Sequence, residues 1–136
     1  LCEDSGVIPA VNQLECHPFF QREALKRVLD GYGIAFESWA SFAEGKNDIF
    51  KNAVLSGIGE KYGKSSAQVI LRWLIQRGIV VIPKSVKIER MKQNFDIFDF
   101  TLAPDDMAAI AALDTDKTLF FDHRDPQWVK RLNNYK

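Results

Sequence analysis

An apolar stretch, Ile79-Val80-Val81-Ile82-Pro83, runs straight into Lys84-Ser85-Val86-Lys87-Ile88-Glu89-Arg90. Cations at the start of a helix oppose its dipole, so without a ligand the arrangement is mildly unfavourable. A bound phosphate reverses the sign: it takes backbone N–H groups, the Ser85 hydroxyl and the charges of Lys84, Lys87 and Arg90 together. A solvated basic turn accounts for the same residues without any ligand. Neither a G-x-G-x-x-G nor a G-x-x-x-x-G-K-[ST] pattern occurs, so neither a Rossmann fingerprint nor a P-loop explains a nucleotide here.

A second group of chemical side chains sits at the ends of two other apolar stretches. Asn12, Gln13 and Glu15 close the first, and Glu37, Ser38 and Trp39 close the second. Buried amides and carboxylates are costly unless paired, and the carboxyl ends of strands are where (β/α)8 barrels build their sites. Strand alternation puts Gln13 with Glu15 on one side, and Glu37 with Trp39 on one side of theirs. The plain alternative is that these groups satisfy one another and the neighbouring loops. Cys16-His17-Pro18 reads as a structural turn, because two adjacent ligands without partners rarely hold a metal. Asp122-His123 has no G-x-S-x-G to complete a triad, and spacing assigns no carboxylate pair to acid–base work.

The elements that must position these residues alternate. Ala10–Glu15, Ile34–Trp39 and Ile79–Pro83 are expected as strands buried on both faces of a parallel sheet, since their hydrophobicity is continuous. Helices are expected over Gln21–Asp30, stopping at Gly31 and Gly33, over Ala53–Tyr62, and from Ser65 or Ser66 to Gly78. Two more run from Lys87 to about Phe95 and onward from Pro104-Asp105-Asp106, where Ala103 is a poor cap. From Thr115 no period survives, and Phe120, Phe121 and Trp128 read as an ordered tail laid over something apolar. The order is α/β with parallel crossovers. Three strands leave two unpaired edges, which marks a piece of something larger.

The whole-chain balance limits the partners. The 136 residues carry 18 Lys plus Arg against 18 Asp plus Glu, which removes the general electrostatic case for nucleic acid or an anionic membrane. An anion site must therefore be local. With 46% hydrophobic and 26% charged residues the chain is globular, and no apolar run approaches a bilayer span. Two cysteines make no disulfide framework, so cytoplasm is the default compartment. The chain opens on Leu1-Cys2-Glu3 rather than on Met, with no signal peptide visible.

Five blocks, in order, resemble the aldo-keto reductases: Pro9-Ala10-Val11-Asn12-Gln13-Leu14-Glu15-Cys16-His17-Pro18, Glu37-Ser38-Trp39, Gln68-Val69-Ile70-Leu71-Arg72-Trp73, Ile82-Pro83-Lys84-Ser85 and Asn94-Phe95-Asp96-Ile97-Phe98-Asp99-Phe100. The likeness covers essentially the whole chain. It is nearest to the bacterial and protozoan branch that includes 2,5-diketo-D-gluconate reductases and prostaglandin F synthase-like enzymes. The resemblance implies the C-terminal part of a (β/α)8 TIM barrel over residues 1–136, with 115–136 a tail that shapes the substrate pocket around Phe121, His123 and Trp128. It implies NADPH as cofactor and a small aldehyde or ketone as substrate. Gln13 would meet the nicotinamide carboxamide and Trp39, in place of the family's common Tyr, would stack on the ring. Ala40, Ser41 and Phe42 stand where Ser-Pro-Leu is usual and would hold the pyrophosphate. Lys84, Ser85, Val86, Lys87 and Arg90 would take the adenosine 2′-phosphate. Gln93, replacing a frequent Glu, and Asn94 would face the adenine.

The match begins just before the family's sixth barrel strand. The family's catalytic Asp, Tyr, Lys and His come from earlier strands, and neither His17 nor Tyr32 stands in for them. The chain is thus expected to supply the cofactor-binding half of a reductase, beside a missing N-terminal half. The competing expectation is an inactive half-barrel that binds phosphate only, or covers its edges with a second copy.

Overall fold

Parallel strands β1 (Val11–Glu15), β2 (Ala35–Trp39) and β3 (Val80–Val81) form a sheet in the order β1-β2-β3 in a computed structural model that describes residues 2–122 and 125–134. The register sets Gln13 opposite Glu37, Glu15 opposite Trp39, and Glu37 opposite Val80. Around the strands run α1 (Cys2–Ser5), α2 (Glu23–Tyr32), a 3-10 segment (Ala43–Lys51), α3 (Ala53–Tyr62), α4 (Ser66–Gln76), α5 (Ile88–Phe95), α6 (Pro104–Ala111) and α7 (Pro126–Asn133). Because the strands are parallel, the loops that leave β1, β2 and β3 emerge at one end of the sheet, among them the turn at Ala40, Ser41 and Phe42 and the basic run from Lys84.

The core lies on one side of the sheet only. Leu14, Phe36 and Val81 pack with Val69, Ile70, Trp73 and Leu74 of α4, with Leu55 and Ile58 of α3, and with Ile49, Ile79 and Ile110. The other face stays open: Val11 is 51% exposed, Val80 45% and the adjacent Ile82 52%. The expectation of strands buried on both faces is therefore overturned within this chain. Apolar residues do point both ways along these strands, but the chain brings helices to one face alone.

The helix boundaries follow local chemistry. Ser65 caps α4 in a reciprocal box: its hydroxyl accepts the Gln68 N–H while Gln68 Oε1 accepts the Ser65 N–H. Asn52 caps α3. Helix α2 starts two residues later than Gln21 and runs through Gly31 to end at Gly33, whose φ of 68° supplies the left-handed turn. Ala103 has no side chain to cap α6; Asp106 reaches back from the first turn and accepts the Ala103 N–H. Helix α7, capped by Asp125 with Pro126 at its first position, corrects the reading of an aperiodic tail. The 3-10 segment has no signature in the sequence, because residues such as Glu44, Asn47 and Asp48 hold left-handed φ values and give no helical period.

Candidate functional site

A cleft of about 400 Å³ opens between the start of α4 and the start of α5. Lys84, Ser85, Val86, Lys87, Arg90, Gln93 and Asn94 line one wall, Ser65, Ser66 and Ala67 the other, and Phe42 and Phe50 close the end. The Ser85 hydroxyl accepts the Lys87 N–H at 3.1 Å, which folds the loop tightly into α5. No side chain caps α5, so its first N–H groups keep their capacity to donate. Glu89 pairs with Lys92, and among the described residues no carboxylate pairs with Lys84, Lys87 or Arg90. Three cations thus crowd a helix end without internal compensation, and an anion with several acceptor oxygens fits that donor set.

This wall is held from behind by α4. Lys64 bridges Asp96 and Asp99 at 2.8 Å each, and these hydrogen bonds push the Lys64 ammonium up and hold Asp99 down from their ordinary values. Gln68 Nε2 donates to the Asp96 carbonyl, while Arg72 donates to the Ile97 carbonyl and the Thr101 hydroxyl. The sequence blocks Gln68–Trp73 and Asn94–Phe100 are therefore two halves of one brace, which fixes where α5 ends.

The second grouping lies at the ends of β1 and β2. Gln13, Leu14, Glu15, Trp39 and Phe121 line a cavity of about 240 Å³. Gln13 Nε2 donates to Glu37 Oε1 at 2.5 Å. Trp39 meets Phe120 edge-on, with ring centroids 4.7 Å apart, and Phe121 at 6.0 Å. Phe121 in turn lies 6.1 Å from Trp128. His123 lies outside the described residues.

Between the two cavities the chain leaves β2 through a sharp turn. Ala40 takes φ of 52° and accepts the Ala43 N–H at 2.7 Å. A Cβ in that left-handed region costs about 1–2 kcal/mol, and the turn holds because Ser41 is buried with its hydroxyl against the Ser38 hydroxyl at 2.7 Å. Ala40 and Ser41 line neither cavity, and Phe42 lines the first. The structure thus brings Lys84, Ser85, Val86, Lys87, Arg90, Gln93, Asn94 and Phe42 together, and Gln13 with Trp39, and leaves Ala40 and Ser41 as the hinge between. Phe50, Ser65, Ser66 and Ala67 line the cleft without having been expected there. A Ser-Ser pair before an apolar helix signals a cap and nothing more, and Phe50 sits in the segment without a period.

Cys16 and His17 belong to the scaffold. Burial pushes the Cys16 thiol up to about 11, so it is no nucleophile at neutral pH. His17 is fully buried against Phe19 and Phe20, with Nε2 3.0 Å from Glu15. Among the described residues no three His, Cys, Asp or Glu side chains gather as metal ligands.

Parallel strands, α/β alternation and a cleft with a basic wall are the features of an α/β enzyme fragment, and its likeness to known proteins makes it part of a (β/α)8 barrel. The sequence profile of the aldo/keto reductase family matches residues 2–115, and the chain belongs to that family. It is 46% identical over 124 residues to an aldo-keto reductase of Mycolicibacterium smegmatis, covering 91% of this chain and 44% of that protein. With methylglyoxal reductase DkgA of Escherichia coli the identity is 41% over 119 residues, 88% of this chain and 43% of the relative. With the glyoxal reductase of Bacillus subtilis it is 45% over 117 residues, 86% and 42%. Among solved structures, a Gox0644 variant in complex with NADPH superimposes with a TM-score of 0.79 at 41% identity, over 83% of this chain and 41% of that one. MGS-M4, an aldo-keto reductase from a deep-sea metagenome library, gives 0.86 at 38%, over 92% and 46%. The chain spans less than half the length of these relatives.

Proposed function

We propose that this chain is the C-terminal, cofactor-binding half of an NADPH-dependent reductase of small aldehydes and ketones. The observation that carries the reading is the cleft in which Lys84, Lys87 and Arg90, without carboxylate partners among the described residues, surround Ser85 at the open end of α5. A 2′-phosphate of NADPH has the charge and the acceptors that this donor set lacks. Gln93 and Asn94, further along α5 in the lining of the same cleft, would face the adenine. The turn at Ala40, Ser41 and Phe42 leaves β2 between the two cavities and would hold the diphosphate; since the Ser41 hydroxyl is engaged by Ser38, backbone groups would make that contact.

At the second cavity Gln13 would bind the carboxamide and Trp39 would form the wall on which the nicotinamide lies. When bound, NADPH supplies the hydride for carbonyl reduction. The residues of this chain bind and orient it, and the proton donor would come from an N-terminal half packed against the open face of the sheet and its unpaired β1 and β3 edges. Residues 115–136 would form the substrate-side tail. Free thiols at Cys2 and Cys16 suit a cytoplasmic setting.

The test is to purify the complete protein that contains this chain, titrate it with NADPH and NADH, and follow NADPH oxidation with methylglyoxal and glyoxal, the substrates named for two relatives. Tighter NADPH binding with turnover supports the reading. Tight NADPH binding without turnover of any carbonyl favours the phosphate-binding half-barrel instead, and equal weak binding of both coenzymes contradicts the 2′-phosphate site.

A further inference from the structure

The segment after α6 carries its own attachment to the sheet, at a carboxylate in the lining of the second cavity. Glu15, at the carboxyl end of β1, is only 6% exposed. Its Oε1 accepts from His17 Nε2 at 3.0 Å and from the backbone N–H of Leu119 at 2.9 Å, and its Oε2 accepts from the Thr118 hydroxyl at 2.5 Å. Thr118 Oγ1 in turn accepts the N–H groups of Phe120 and Phe121, at 3.1 Å each. One buried carboxylate therefore organises four consecutive residues more than a hundred positions away.

Those residues end on the candidate nicotinamide wall. Phe120 and Phe121 are the rings set against Trp39. From the other side Lys46, in the 3-10 segment, donates to the Leu119 carbonyl at 2.9 Å and stands 3.8 Å above the Phe120 ring. The tail is separately tied at its root, where Thr115 donates twice to the Phe19 carbonyl. Loosening at Thr118 would therefore free the 118–121 loop without releasing the whole tail.

We infer that Glu15 is a positioning residue: it latches Thr118 and Leu119 so that Phe120 and Phe121 are held over Trp39, and thereby sets the aromatic rim of the substrate mouth. The inference rests on the proposed reading of Trp39 as the nicotinamide wall. Burial alone would raise the Glu15 carboxyl, but the hydrogen bonds from His17, Thr118 and the Leu119 N–H outweigh it and hold the group below its ordinary value. It is therefore an ionised acceptor at neutral pH, suited to holding a hydroxyl and an amide together.

The experiment uses the complete protein and three variants, Glu15→Gln, Thr118→Val and the conservative Thr118→Ser. Glu15→Ala would strand His17 in the core, so the test relies on Gln and on the Thr118 pair, which leaves β1 untouched. Amide hydrogen exchange is read at residues 118–121, together with KM and kcat for a carbonyl substrate and Kd for NADPH. Losing a charge-assisted bond speeds opening by roughly tenfold. The expected pattern is roughly tenfold faster exchange in Glu15→Gln and Thr118→Val and unaltered exchange in Thr118→Ser. KM should rise by a larger factor than kcat falls, and by a larger factor than Kd for NADPH rises. Unaltered exchange in the first two variants overturns the latch. Faster exchange with unchanged KM overturns the positioning role. Absence of turnover in the unsubstituted protein counts against the reductase reading, and the exchange comparison still decides the latch.

Discussion

Gln13 and Glu37 stand directly opposite each other in the β1–β2 register, and the Gln13 amide donates to the Glu37 carboxylate. A carboxylate only accepts, so this contact fixes which way the amide is turned: Nε2 toward Glu37, with Oε1 left to accept. A nicotinamide carboxamide offers the N–H that such an oxygen takes. Glu37→Ala should release the amide and weaken NADPH and NADH alike, by about 1 kcal/mol or roughly fivefold in Kd. Fluorescence titration with both coenzymes checks this; a loss confined to NADPH would place Glu37 at the wrong end of the cofactor.

Arg90→Ala should behave in the opposite way. It removes a charge from the α5 cleft and leaves the mouth untouched, so NADPH binding should fall by about 1.5–3 kcal/mol, tenfold or more, while NADH binding holds. Lys84→Ala should act in the same direction. Parallel titrations decide it, and equal losses for both coenzymes would contradict a phosphate role.

Two glycines of α3 should separate sharply. A Cβ on Gly59 would come within 2.4 Å of the Lys64 carbonyl oxygen, whereas one on Gly57 meets nothing within 4 Å. Gly59→Ala should cost about 1–3 kcal/mol from enforced backbone displacement. Gly57→Ala should gain about 0.5–1 kcal/mol from its better helix propensity. Urea unfolding of the two variants, with m unchanged, measures both.

Asp106 supplies a pH dependence. Burial raises its carboxyl, but hydrogen bonds from Tyr62, Lys61 and the Ala103 N–H lower it further, and the net shift is downward. A carboxyl whose pKa is depressed in the folded state adds stability that is present above its unfolded pKa and is lost as pH falls through the folded one. The wild-type midpoint in urea should therefore drop as pH goes from neutral into the acid side of the carboxylate range. Asp106→Asn should be less stable at neutral pH by about 1.5–3 kcal/mol, with the gap closing in acid. A gap that stays constant with pH would show that the lost contacts are not ionic.

Much of the scaffold is legible because its signals are local. Ser65 and Gln68 mark the start of α4 three residues apart, and the helix over Ala53–Tyr62 has the boundaries its sequence indicates. The basic run after the third strand lines one cleft, and that grouping is legible because Lys84, Ser85, Lys87 and Arg90 are close in sequence as well as in space. The opposite wall is not legible. Phe50 and Ser65–Ala67 reach the cleft only because α3 and α4 fold back over the sheet, and nothing in their own spacing records that approach.

The sequence by itself determined the α/β order, the parallel strands, the family and the pairing of Gln13 with Glu15 and of Glu37 with Trp39 on strand faces, because periodicity, caps and motif blocks are properties of neighbouring residues. The tertiary structure decided which of these groups meet. It set Gln13 against Glu37, withdrew Ser41 into a contact with Ser38, left one face of the sheet open, and joined Glu15 to Thr118 across more than a hundred residues. Such contacts depend on where crossovers return the chain. That return is set by the summed packing of the core rather than by any segment's own pattern.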